Sequence, residues 1–335
     1  MLAWHLPSEL SLSKLTLGEL PTPVPAPHQI LVRIRAASVN PHDVLLVEGF
    51  YGPMPLPLVP LGDGAGEVQA VGTNVTQFAA GDRVVGMFLQ EWLAGRRAPS
   101  AVRSMLGGPR PGVLAEYALF DEAGALLIPK HLSFEEAATL PIAGITAWQA
   151  LFANDPVGPQ DTVLVQGTGG VATFALQLAR AAGARVIVTS SSDEKLEKAR
   201  AVGATDTINY VKVPAWDKRA RELTGGVGVD RVVDVSGQHQ RSVNAVRIEG
   251  RISAVGLLAG RKAEVDIVSL TQGGVHVDGI ATGSRAHFEA LFQVLAHHEI
   301  HPVIDRAYAF EDAPKAFAAI AERAPYVGKL VVLGV

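Results

Sequence analysis

The sequence predicts an α/β protein, in which a doubly wound parallel sheet with helices on both faces is joined to a second, β-rich part. Three observations lead there. From residue 162 onward, short β-branched and apolar runs at 162–165, 185–189, 207–209, 231–234, 252–255 and 275–281 alternate with helical patterns. Such alternation builds parallel strands with the helices as crossovers. The part before it reads as β, because 30–35 and 66–71 alternate apolar and polar residues and 82–86 follows a turn at Gly81. Finally, 335 residues is long for one hydrophobic core and points to two domains.

Taken in order, prolines at 21, 23, 25 and 27 hold the entrance extended. From Leu126 the pattern turns helical, at 135–140 and 145–152. A strand at 162–165 leads into Gly167-Thr168-Gly169-Gly170-Val171-Ala172 and a helix at 171–181. A second strand at 185–189 and a helix at 194–201 follow. After the run at 275–281 come a helix at 288–297, a strand at 303–310, a helix at 313–322 and a strand at 329–332, more than a six-stranded sheet requires. Those last elements return to the β-rich part. The expected domains are therefore 1–125 with 285–335, and 126–284 inserted between them.

The turn at 167–172 has Gly-x-Gly-x-x-Ala spacing between a strand and a helix. Gly167 permits the tight turn, Gly169 lets backbone approach a phosphate, and Ala172 lets the helix pack on the strand. The helix then directs free N–H groups at an anion, so a dinucleotide pyrophosphate belongs here. An NAD site usually carries an acid at the end of the second strand to bind the ribose hydroxyl. Here stand Thr189, Ser190, Ser191 and Ser192, followed by Lys195. Hydroxyls and an ammonium suit the extra phosphate of NADPH, which an acid would repel. The alternative is that the serines cap a helix whose first turn holds Asp193 and Glu194.

Composition narrows the partners. With 29 basic and 33 acidic residues the net charge is −4, which gives no electrostatic case for nucleic acid or an anionic membrane and leaves a small-molecule substrate. Cysteine is absent, which excludes disulfides, thiolate metal sites and a cysteine nucleophile. The first residues lack the basic leader and apolar core of a signal peptide, and no run approaches a membrane span, so cytoplasmic residence is expected. The run at 275–281 would lie at a sheet edge, and an uncovered edge predicts a homodimer paired through it.

The motifs 38–43 (Ser-Val-Asn-Pro-His-Asp), 62–68 (Gly-Asp-Gly-Ala-Gly-Glu-Val) with Val71-Gly72, 81–84 (Gly-Asp-Arg-Val), Ala115-Glu116-Tyr117, 137–141 (Ala-Ala-Thr-Leu-Pro), Thr146-Ala147-Trp148 and 226–230 (Gly-Val-Gly-Val-Asp) span the chain. With them the sequence resembles the medium-chain dehydrogenase/reductase superfamily, and within it the zinc-free, quinone-oxidoreductase-like branch. That resemblance implies a GroES-like β-rich catalytic domain and a Rossmann domain with a six-stranded parallel sheet. At the places matching the Cys, His and Cys zinc ligands of alcohol dehydrogenases stand Asn40, Gly62 and Ile142, which cannot build the metal tetrahedron, so no metal is expected. Asp63 matches an acid beside the metal-binding His, and His42 a proton-relay hydroxyl. The structural zinc lobe is replaced by 87–112, which carries Arg96, Arg97, Arg103 and Arg110 and a short helix.

Without a metal, hydrogen-bond donors must polarise the acceptor. The resemblance nominates Asn40 and Tyr51, with His42 as a candidate proton donor. It carries cofactor contacts to Asn40, Thr146, Gly167, Thr168, Gly169, Gly170, Val171, Ser190, Ser191, Lys195, Tyr210, Ser236, Gly256, Leu257 and Lys329. The expected activity is NADPH-driven hydride transfer to a quinone or α,β-unsaturated carbonyl, acceptors that tolerate negative charge. Reduction of an enoyl thioester or small carbonyl, with the reverse alcohol oxidation, is one alternative. An NADPH-binding structural protein without turnover is another.

Overall fold

The structure, a computed structural model, describes residues 1–256 and 260–334. The chain divides into two compact units. One comprises Met1–Ile145, Gly283–Pro325 and the stretch from Lys329 onward; the other comprises Thr146–Thr282 and Tyr326–Gly328. These boundaries correct the expected break at 125/126. The short strand Ala125–Leu127 pairs with Arg83–Gly86, the Arg83 side chain bonds the Leu132 carbonyl at 2.6 Å, and its guanidinium lies over the Phe134 ring. Residues 126–145 thus belong with the β-rich unit.

The second unit is built on six parallel strands. In spatial order they are Asp206–Asn209, Arg185–Ser190, Thr162–Gln166, Val229–Asp234, Val246–Ala254 and His276–Gly279. Numbered along the chain this is 3-2-1-4-5-6, so the direction of winding reverses beside Thr162–Gln166, and ligands of such sheets bind at that switch point. The apolar runs are buried as near-continuous strands, with Leu164, Ile187, Val232 and Ile252 fully covered and Trp216 closing the core from a helix. His276–Gly279 is the outer strand, shorter than the expected 275–281 because only these residues pair with Arg251–Ala254.

In the first unit the long strand Gln29–Val39 is the spine. It pairs antiparallel with Asp63–Val71 along one side. On the other side it meets Tyr117–Asp121 near its start and Lys329–Leu333 near its end. Antiparallel partners begin where the spine ends, so Asp63 lies opposite Ser38 and Leu330 opposite Val39. Three strand ends therefore converge on Asn40. There the helix Pro41–Val47 starts, with Asn40 as its N-cap and Pro41 in the first turn. The segment 87–112 does contain a short helix, Pro99–Arg103. Two of its arginines hold it in place: Arg110 bonds Glu91 and Asp121, and Arg97 covers Trp92.

Candidate cofactor and active sites

In the nucleotide-type unit, Thr162–Gln166 runs into Gly167, whose φ of 79° is the left-handed conformation a β-carbon would oppose. Gly167 N–H donates to the Thr189 carbonyl at 2.8 Å, which ties the turn to the second strand. The helix Gly170–Ala181 follows directly. A β-carbon at Gly169 would meet only the Tyr326 ring, its hydroxyl at 3.9 Å, so the turn leaves room for phosphate oxygens at the helix N-terminus. Tyr326 is absent from the sequence reading. It arrives because Gly328 N–H bonds the Thr168 carbonyl at 2.8 Å, and no local pattern signals a contact that long in sequence.

At the end of the second strand one of the serines does cap the helix, as the alternative expected. Ser192 caps the helix Asp193–Val202, while Ser190 is buried beneath the strand end and Tyr210, half-exposed, bonds it through backbone. Asp193 is taken up by Lys212 and Asn209, whose hydrogen bonds, that of Lys212 foremost, hold its carboxyl below the usual range, and Glu194 pairs with Lys198. Among the described residues the half-buried Lys195 ammonium has no partner. Both nearby acids are thus engaged while the nearby cation is available.

Further along the same strand ends, Asp234 is fully buried and accepts from Gly237 N–H at 2.8 Å, Ser242 Oγ at 2.8 Å and Ser236 N–H at 3.0 Å, which fixes Ser236. Gly256 passes so close to Val235 that a β-carbon would fall 1.7 Å from its carbonyl oxygen. Thr146 and Thr168 are buried. Leu257 lies outside the described residues. A dinucleotide fits these features: an open glycine turn, a helix N-terminus and a hydroxyl-lined strand end with a free ammonium.

In the β-rich unit, Asn40, Asp43, Asp63 and Lys329 are all buried. Asp63 Oδ2 accepts from Ser38 Oγ at 2.8 Å, Asn40 Nδ2 at 2.8 Å and Lys329 Nζ at 3.3 Å. Asp43 Oδ2 accepts from Asn40 N–H at 2.8 Å and Asn40 Nδ2 at 3.2 Å. Lys329 Nζ also donates to Asn40 Oδ1 and, at 3.3 Å, to the Val39 carbonyl. Burial pushes the Asp63 carboxyl up and the Lys329 ammonium down, each opposed by the other's charge. Asn40 therefore commits both amide hydrogens to carboxylates, and Lys329 commits its ammonium within the cluster. Sequence reasoning nominated both without Asp43 as a partner, although Asn-Pro-x-Asp is itself a capping-box pattern. His42 and Tyr51 stand at the outer end, stacked at 4.9 Å, with Phe88 edge-on to His42.

Two domain models match the chain, an alcohol dehydrogenase GroES-like domain over 26–130 and a zinc-binding dehydrogenase over 170–297. A zinc-type alcohol dehydrogenase-like protein of Schizosaccharomyces pombe is 41% identical over 91% of each chain. The chain belongs to the medium-chain dehydrogenase/reductase superfamily. Other members similar to it include a quinone oxidoreductase of Sus scrofa, 29% identical over 94% of this chain and 92% of that one. A solved NAD-dependent alcohol dehydrogenase superposes with a TM-score of 0.91 at 34% identity, over 100% of both chains.

As a member of this superfamily the protein is a nicotinamide-dependent oxidoreductase. The three residues expected from the sequence at the places of zinc ligands have other uses in the fold. Asn40 is locked in the buried cluster, and a β-carbon at Gly62 would lie 2.4 Å from the Phe88 ring. Ile142 belongs to the wide turn Leu140–Gly144 and has no donor atom. Among the described residues no three His, Asp or Glu side chains gather closely enough to hold a metal ion. No helix among them is long and apolar enough to cross a membrane.

Proposed function

We propose that this protein is an NADPH-dependent, zinc-independent reductase of quinones or α,β-unsaturated carbonyls. The observation that carries the reading is the set of three residues just described. Where a metal would polarise a carbonyl stand a buried, fully bonded carboxamide, a glycine packed under Phe88 and an isoleucine. None of the three can act as a Lewis-acid holder. The acceptor must then stabilise developing negative charge through its own conjugation, which quinones and enones do and simple aldehydes do not.

When bound, the reduced nicotinamide supplies a hydride. Gly167, Thr168, Gly169, Gly170 and Val171 would hold its pyrophosphate, with Thr146, Ser236 and Gly256 along the strand ends and Tyr326 beside Gly169. Ser190, Ser191, Lys195 and Tyr210 would hold the extra phosphate. In the β-rich unit, Tyr51 supplies a hydroxyl for the developing oxyanion. Asn40 and Lys329 organise the wall behind it. The site works on a small molecule in a homodimer paired through His276–Gly279.

Replacing Lys195 with Ala tests the cofactor assignment. One charge-assisted hydrogen bond is worth about 1.5–3 kcal/mol, so the NADPH dissociation constant should rise about tenfold to a hundredfold while that of NADH stays within about twofold. Equal weakening of both cofactors would remove the phosphate role. Turnover of a panel of quinones and enals with NADPH tests the acceptor. Alcohol oxidation with NAD is the second reading, favoured by the names of two relatives, and faster turnover of alcohols than of the panel would establish it.

A further inference from the structure

Asp234 ends the strand Val229–Asp234, which pairs with Thr162–Gln166, the strand that feeds the glycine turn. Its side chain is inaccessible to solvent, and the groups bonded to it are all donors. Oδ1 accepts from Ser236 N–H at 3.0 Å, Ser236 Oγ at 3.3 Å and Gly237 N–H at 2.8 Å. Oδ2 accepts from Ser242 Oγ at 2.8 Å, whose oxygen in turn accepts from Gln166 Nε2 at 2.9 Å. The remaining bond, at 3.0 Å, is to His239 Nδ1. A carboxylate among four other donors only accepts, so the hydrogen of that bond sits on Nδ1 and Nε2 is turned outward. His239 Nε2 is accessible and has no partner among the described residues.

The loop that carries His239 lies against the glycine turn. A β-carbon at Gly167 would stand 3.7 Å from Val235 Cγ2, and Gln166, the residue before it, accepts from Ser236 N–H at 3.3 Å. The turn itself, 167–171, holds no charged side chain, so a pyrophosphate there meets neutral N–H groups alone. Thr162–Gln166 has a strand on either side, Arg185–Ser190 and Val229–Asp234. The loop after the first offers Lys195, and the loop after the second, 235–239, offers His239 as its one basic residue.

Resting on the glycine turn as the dinucleotide site, and not on the choice of acceptor, we propose that His239, oriented by Asp234, donates from Nε2 to the pyrophosphate of the bound cofactor, so that binding takes up a proton. Phosphate oxygens accept, whereas a neutral imidazole with its hydrogen on Nδ1 presents a lone pair at Nε2. The anion therefore selects the imidazolium, and a charge-assisted bond forms. NADH and NADPH gain it alike, because both carry the pyrophosphate. Asp234 is the charged group that touches His239. On the helices packed beside it, Asp217 is engaged by Arg241 and Asn244, Arg219 by Glu222, and Asp266 by Ser269, while Lys218 is exposed. Asp230, Arg231, Arg247, Glu249 and Arg251 lie toward the opposite, amino ends of their strands.

Calorimetric titration of the full-length protein tests this, with NADPH and with NADH, whose own groups do not titrate between about pH 6 and 9. Wild type should bind NADH about tenfold more weakly at the upper pH, with a heat that varies with the ionisation enthalpy of the buffer because protons are taken up. Asn places its amide nitrogen where Nδ1 stands, and Gln places its own where Nε2 stands. His239→Asn thus keeps the bond to Asp234 and loses the outward donor. Both cofactors should weaken about tenfold at the lower pH, and the pH dependence should vanish. His239→Gln keeps a neutral outward donor and should recover part of that affinity, without proton uptake. A purely structural role for His239 reverses the order, leaving the Asn variant like wild type and the Gln variant impaired. That result, or proton uptake unchanged in His239→Asn, would overturn the proposal. Equal weakening of both cofactors by Lys195→Ala removes only the assignment of the extra phosphate. A wild type that binds neither dinucleotide would overturn the cofactor reading, and this proposal with it.

Discussion

A buried ammonium and carboxylate of equal and opposite charge leave no net charge behind, whether the shared proton sits on Lys329 or on Asp63. That neutrality lets the pair lie under three converging strands, both residues nearly inaccessible. Removing one partner strands the other. Lys329→Met should destabilise the fold by about 3–5 kcal/mol in urea unfolding, while Lys329→Met combined with Asp63→Leu should recover most of the loss. A double variant as unstable as the single one would show that packing rather than charge holds this corner. The residues themselves are visible in the sequence, since Asn40, Asp63 and Lys329 all stand out there. Their partnership is not, because 266 positions separate Lys329 from Asp63 and only strand pairing closes that distance.

Among the elements, the glycine turn is the most legible. Strand, left-handed glycine and helix follow one another without a break, so local spacing suffices to place Gly167, Gly169 and the helix behind them. The helix Pro41–Val47 escapes periodicity because seven residues make too few turns to show it, although its cap is written in the sequence. A comparable local device is Glu122, which opens a short turn after Tyr117–Asp121 and accepts from the Thr76 and Gln77 amides at 2.6 Å each. The Thr76 amide foremost, with Gln77 and the Thr76 hydroxyl, holds its carboxyl below the usual glutamate range. A depressed folded value means that the stabilisation is present above the unfolded value and is lost as pH falls through the folded one. Glu122→Gln should therefore melt below wild type at neutral pH, and the gap should close in acid. A gap that persists at pH 3 would assign the loss to packing instead.

At the scale of the whole molecule, the sheet of the nucleotide-type unit ends in His276–Gly279, whose outer edge carries the half-exposed Val277. An unpaired edge is a template for a second copy, so Val277→Lys should shift the protein from dimer toward monomer in light scattering while NADPH affinity holds. A wild type that is monomeric at micromolar concentration would refute the pairing. The domain count and the return of the chain's last elements to the first part are readable from alternation and length, since a six-stranded sheet has no use for the extra strands. The break at Ile145 rather than 125 is not readable, because the helical signal at 135–140 belongs in part to a helix, Phe134–Ala138, that packs on the strands of its own β-rich unit.

What the sequence by itself determined is everything set by neighbours within about one strand–turn–helix: the parallel sheet, the glycine turn that runs from a strand into a helix, and the caps of its helices. Periodicity, glycine spacing and capping residues are local, and they need no tertiary structure to be read. Only the folded chain decided which polar groups remain free. It used up Asn40 and Lys329 in a buried cluster, occupied Asp193 and Glu194 while leaving Lys195 unpaired, and brought Tyr326 to the glycine turn. Hydrogen-bond saturation depends on distances closed by strand pairing and return segments, and those distances are written nowhere along the chain.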